Sequence, residues 1–212
     1  MTQRPNYEAL KHLASQKRAE HGVTTDKLGL KVVRDIYRAE GIRIDSWDLS
    51  PRIRAVYMCD DGDPSVAISK NLPAEPKLFS LVHELKHHYV DQRLIADGKI
   101  RCGDYNANQV IEIGAQVFAA EFIYPEHEFL ECIDRLGIVV GECTKEDVVR
   151  LKRACGAQVS YTFLRKRLER LGFATLSTLA GVQFQKLEEE LFGIPIYKQP
   201  WFKARRARRN KA

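Results

Sequence analysis

The sequence predicts an α+β fold: mostly helical, with a small antiparallel sheet, followed by a helix-turn-helix-like helical segment. Three observations carry that expectation. Apolar residues recur at helical spacing through most of the chain. Short runs of strand character appear only between residues 42 and 69. Late in the chain, a Thr-led and a Ser-led amphipathic stretch follow one another across Gly156.

The elements follow in order. Tyr7 to Ala19 has helical spacing, with Leu10 and Leu13 apolar among charges. Thr24-Thr25-Asp26 is placed to cap a second helix through Val33, Ile36 and Tyr37, which Gly41 stops. Then the period changes. Ile42 to Trp47 alternates as a half-buried strand does, and Ile53 to Met58 does so less cleanly. Asp60-Asp61-Gly62-Asp63-Pro64 is turn chemistry, with Ser65 to Ser69 as the returning strand. A loop through Pro73 and Pro76 leads into a helix from about Lys77 to Ile95. A further helix begins near Asn106 to Asn108 and runs to Tyr124, where Pro125 stops it. Another short helix starts at Glu126. Thr144 and Ser160 open the pair across Gly156, and Ser177 to Phe192 reads as a last amphipathic helix. These boundaries divide the chain into 1–140, the main domain, 141–192, the helix-turn-helix-like segment, and 193–212, a basic tail read as disordered.

At 212 residues, with 44% hydrophobic and 29% charged residues, the composition is that of an ordinary soluble domain with a real core. The first eight residues have no apolar signal core, and no stretch is apolar for long enough to span a bilayer, so a cytoplasmic location is expected. The five cysteines (Cys59, Cys102, Cys132, Cys143, Cys155) are odd in number, dispersed and without a C-x-x-C pair, as free thiols in a reducing compartment are. The net charge of +6 equals the charge of Lys203, Arg205, Arg206, Arg208, Arg209 and Lys211. The basic balance therefore belongs to the tail, which is either a solvated end or a contact for phosphates or acidic partners.

The chemistry concentrates in His83-Glu84-Leu85-Lys86-His87, an H-E-x-x-H pattern. On a helix, residues i and i+4 share a face one turn apart, so both imidazoles can reach one metal ion. Glu84 is rotated about 100° from His83 and is suited to act on a water as general base. A catalytic zinc usually has three protein ligands and one open position, so a third ligand is required. In the next helix Ala115, Ala119, Phe122 and Ile123 cluster on one arc, and Glu112 falls inside it. A carboxylate there is either the third ligand or half of a buried salt bridge; the ligand reading is favoured. Glu121, about 180° away, is expected on the exposed side. Asp91, four residues after His87, is either a carboxylate that orients the His87 ring or an exposed aspartate. Tyr89, His88, Tyr105 and Tyr124 are candidate donors to an oxyanion. His127 reads as a surface histidine.

Two motifs in this order resemble the ImmA/IrrE family of metallopeptidases. Phe79 to His87 matches its apolar lead into H-E-x-x-H. Glu112 to Pro125 matches its E-x-x-A-N-x-F-A-A helix, with Gln116 where Asn is usual and Phe122-Ile123-Tyr124 for the aliphatic run. The resemblance spans roughly residues 25 to 175. It implies a zincin-like, gluzincin-type metallo-endopeptidase with His83, His87 and Glu112 on the metal and Glu84 as the catalytic carboxylate. Zinc is the expected ion, and the same ligand set accepts manganese or iron. The resemblance also implies the substrate: a helix-turn-helix transcriptional repressor, cut to relieve repression in a stress response or in mobile-element control.

The alternative is a non-hydrolytic regulator that grips a repressor or DNA on a protease-like scaffold. Arg165, Lys166, Arg167 and Arg170 in the Ser160-capped helix could face DNA phosphates; packing or substrate docking is the favoured reading of that segment.

Overall fold

The computed structural model describes residues 7–100, 109–195 and 198–199 of the protein. The elements are α1 (Tyr7–Glu20), α2 (Leu30–Ala39), β1 (Arg43–Trp47), β2 (Ala55–Asp60), β3 (Asp63–Ser69), α3 (Ala74–Lys86), a π-helical turn (His87–Asp91), α4 (Gln92–Ala96), α5 (Gln109–Ile123), α6 (Glu126–Arg135), α7 (Lys145–Ala154), α8 (Tyr161–Arg170) and α9 (Phe184–Phe192). The architecture is α+β and mostly helical, as expected. No helix among the described residues is long and apolar enough to cross a membrane.

The three-stranded sheet is mixed, not antiparallel as its sequence predicts. Its order is β1-β3-β2. β2 and β3 form an antiparallel hairpin, closed at Asp61 and Gly62, which both take positive φ (50° and 83°). β1 runs parallel to β3, with Ile44 opposite Val66 and Ser46 opposite Ile68. Burial explains the order. Ser65 to Ile68 of β3 are buried in succession, so this strand needs cover on both faces and takes the centre. β1 is half-buried to exposed and sits at an edge. β2 alternates, with Ala55, Tyr57 and Cys59 buried, and no strand among the described residues pairs with its outer edge.

One hydrophobic core runs from Ala14 in α1 to Phe184 in α9. α3 and α5 pack together at its centre, and α1 lies against α5. Gly114 permits that approach: a Cβ there would stand 3.0 Å from Leu10 Cδ1 and 3.7 Å from Lys86 Cε. α5 is buried on almost every side, because α1, α3 and α8 surround it. Glu121, expected outside, is therefore buried. Its carboxylate accepts from Arg167 Nη2 at 3.2 Å and from the Glu126 backbone N–H at 3.1 Å. Arg167 also donates to the carbonyl oxygens of Ala120 and Tyr124, tying α8 to the end of α5. This arginine is buried, so it is not free to meet DNA.

The caps follow the sequence. Thr144 and Asp147 form a capping box on α7, and Ser160 Oγ accepts from Phe163 N on α8. The last helix is shorter than expected: it starts at Phe184, because Gly181 takes φ 70° and the hydroxyls of Thr175, Ser177 and Thr178 bond among themselves in a turn. Cys59, Cys132, Cys143 and Cys155 are free and buried. Cys102 and the cations at 203–211 lie outside the described residues.

Arg167→Met should destabilise the fold by about 3–5 kcal/mol in urea denaturation, because it strands the buried Glu121 carboxylate. A loss below about 1 kcal/mol would show that the α5–α8 tie is not structural.

Candidate metal centre

One face of α3 is apolar and buried. Leu78, Leu81, Val82 and Leu85 are buried, and this fixes the helix in rotation. The same rotation sends His83 and His87 toward α5. Their Nε2 atoms stand 3.3 Å apart. From α5, Glu112 brings Oε2 to 3.0 Å from His83 Nε2 and Oε1 to 3.7 Å from His87 Nε2. One ligand atom from each of the three lies within 4.8 Å of the other two. His87 is fully buried and Glu112 nearly so, whereas the His83 side chain keeps 14% of its surface open to the cleft.

Asp91, at the end of the π-helical turn, fixes His87. Its carboxylate can only accept, and Oδ2 lies 2.8 Å from His87 Nδ1. The proton is thereby held on Nδ1 and the Nε2 lone pair is left facing the triad. Asp91 Oδ2 also accepts from Lys86 Nζ at 2.6 Å, and Lys86 reaches the Ile111 carbonyl oxygen at 3.3 Å, next to Glu112. Lys86 is 3% exposed, so one buried ammonium braces both helices. The helix read as continuous from Lys77 to Ile95 is thus interrupted by the π turn at His87–Asp91, a device common at functional sites.

The cluster fits a divalent cation on three grounds. The ligand atoms converge. Glu112 Oε1 and Glu84 Oε2 are buried side-chain oxygens without a hydrogen-bond partner among the described residues. The buried carboxylates Glu84, Asp91 and Glu112 face one ammonium, Lys86, and so leave a formal charge of two negative. Burial works to raise the Glu112 carboxyl, but its bond to His83 and the fields of His83, His87 and Lys86 outweigh that and lower it. Asp91 is depressed likewise: burial is outweighed by its bonds to His87 and Lys86. Burial wins at Glu84, whose carboxyl is raised despite His83, His87 and the Tyr57 backbone N–H.

The other donor candidates stand elsewhere. Tyr89 donates its hydroxyl to Glu40 at 2.8 Å, and Tyr124 to the Glu128 carbonyl at 3.4 Å. His88 Nδ1 pairs with the Tyr57 hydroxyl at 3.0 Å. Tyr105 lies outside the described residues. His127 is exposed.

Above the triad lies a cleft of about 680 Å³ whose lining includes His83, Glu84 and Glu112. Ile53 and Ala55 bound it from the β2 side, and Phe163 from α8. Phe163 meets Phe79 edge-on, with ring centroids 6.2 Å apart. Sequence reasoning missed Lys86 here, which leaves a faint signal, a lysine at a helix position flanked by Leu85 and His87. The packing or substrate-docking role read for the α8 segment did not place it as a wall of this cleft.

The family model for the IrrE N-terminal-like domain, Peptidase M78, matches residues 26–169, which include every residue of the triad. The chain belongs to this family. Among solved structures, this IrrE-like chain is similar to a Mycobacterium tuberculosis transcriptional regulator, with a TM-score of 0.51 and 20% sequence identity. The likeness covers 76% of this chain and 46% of that one, so the chain spans less than half of the regulator, and what they share is the fold. No curated protein matches the IrrE-like chain.

Asp91→Asn and Lys86→Met should each weaken zinc binding by about 10–100-fold in competition with a chromophoric chelator, since each loosens the hold on His87. Unchanged affinity in both would remove these residues from the centre.

Proposed function

We propose that the protein is a metal-dependent endopeptidase. The convergence of His83, His87 and Glu112 beside a buried, unpartnered Glu84 oxygen carries this reading. His83, His87 and Glu112 would hold zinc, with manganese an acceptable substitute for the same donors. A divalent cation in that position supplies Lewis acidity, acidifying a water and polarising a peptide carbonyl.

The chain's own residues do the rest. Glu84 takes the proton from the attacking water on Oε2, where no hydrogen bond competes, and passes it to the leaving amine. Its raised carboxyl suits a group that must both accept and return a proton. Asp91 keeps His87 in one tautomer and one orientation. Ala55, at the start of the edge strand β2, lines the same cleft, so an extended segment lying there would run beside that edge.

The substrate implied by membership is a helix-turn-helix transcriptional repressor, cut so that its genes are released; that reading rests on analogy with the family. The DNA-binding alternative is less well supported. Of the four α8 cations, Arg167 is buried against α5, and Lys166 and Arg170 line the cleft that contains the triad. Arg165 lies 3.7 Å from Glu169.

Glu84→Gln should lower cleavage of the target repressor by about 10²–10⁴-fold while one metal ion per chain is retained. Gel assays with purified proteins and metal analysis check both. Cleavage by the variant at the normal rate would overturn the role of Glu84. A wild-type chain that binds no metal and cuts nothing, with or without added metal, would favour the non-hydrolytic regulator.

A further inference from the structure

Four cations line the cleft that the chemistry at its floor does not require. Arg52 and Arg54 come from the lead into β2; Lys166 and Arg170 come from successive turns of α8. All four are exposed, and none has an acidic partner among the described residues. The other cations of the lining behave differently. Lys11 is paired with Glu8 and Glu126, and Arg167 with Glu121. Those pairings also use up the lining's carboxylates outside the triad and Glu84. Two elements far apart in sequence thus bring four uncompensated positive charges to one concavity, where low-dielectric walls focus their field. The same lining includes the apolar side chains of Ile53, Phe79, Phe163 and Leu171.

We infer that this cleft selects a peptide segment that combines apolar residues with acidic side chains, and that Arg52, Arg54, Lys166 and Arg170 determine that specificity. The inference rests on the cleft being the substrate site of a peptidase. Acidic groups on the segment would meet the cations, and its apolar residues the apolar side chains of the lining. A nucleic acid fits less well. Its phosphates would approach the buried carboxylates Glu84 and Glu112, and the Phe79 and Phe163 rings pack edge-on against each other instead of forming a stacking platform.

The test is fluorescence anisotropy on the full zinc-loaded chain carrying Glu84→Gln, so that nothing is cut. Labelled ten-residue peptides share their apolar residues and carry Asp/Glu, Asn/Gln or Lys at the remaining positions. The acidic peptide should bind about tenfold more tightly than its amide counterpart, as a few partly exposed ion pairs allow, and the advantage should shrink with added salt. The combined variant Arg52→Gln, Arg54→Gln, Lys166→Gln, Arg170→Gln should lose the preference. Lys166→Glu with Arg170→Glu should turn it toward the Lys peptide, which coordination of zinc by the acidic peptide would not do. Equal binding of the acidic and amide peptides, or a preference unchanged in the variants, overturns the inference. So does a short DNA duplex that displaces the acidic peptide with equal affinity. Because the readout is binding, a wild-type chain that cuts nothing defeats the peptidase reading, while the peptides still decide charge selection by the cleft. A chain that cuts protein with no charge preference defeats the inference alone.

Discussion

A buried carboxylate needs a partner, and the centre of this molecule is arranged around that requirement. Glu112 sits on a helix enclosed by three others, and α3 meets it with two imidazoles and a lysine. The approach of α1 to α5 at Gly114, with Lys86 alongside, belongs to the same arrangement. Without a cation the buried charges do not balance: three carboxylates stand against one ammonium. That formal excess is what a divalent ion held there would offset.

The second half of the chain completes the cleft. α8 is fixed to α5 through Arg167 and Glu121, so its successive turns bring Lys166 and Arg170 into the cleft lining. A segment with the order of a helix-turn-helix thus supplies a wall of the site. Packing and cleft formation account for its position without any call on DNA.

Much of the centre was legible in the sequence, for a geometric reason. His83 and His87 are one turn apart on one helix, and the phase of Glu112 among Ala115, Ala119 and Phe122 places it inward. Glu121 was not legible, because a helical wheel assumes one buried face and α5 has several. The sheet order was illegible for a related reason. Alternation identifies strands and the Asp-Gly turn identifies a hairpin, but neither says that β3 enters between the other two. The π turn and the Lys86–Asp91 pair depend on contacts formed only when α3 meets α5. The opening of α8 was read from Ser160, whose cap is local; its role as a wall depends on a buried arginine that looks, in sequence, like one more surface cation.

X-ray absorption at the metal edge of the purified, zinc-loaded chain tests the central claim most directly. The account predicts one zinc per chain with two imidazole nitrogens and carboxylate oxygen in its shell, one nitrogen being lost in His83→Ala and the carboxylate contribution in Glu112→Ala. A shell containing sulfur, or one unchanged by Glu112→Ala, would contradict it.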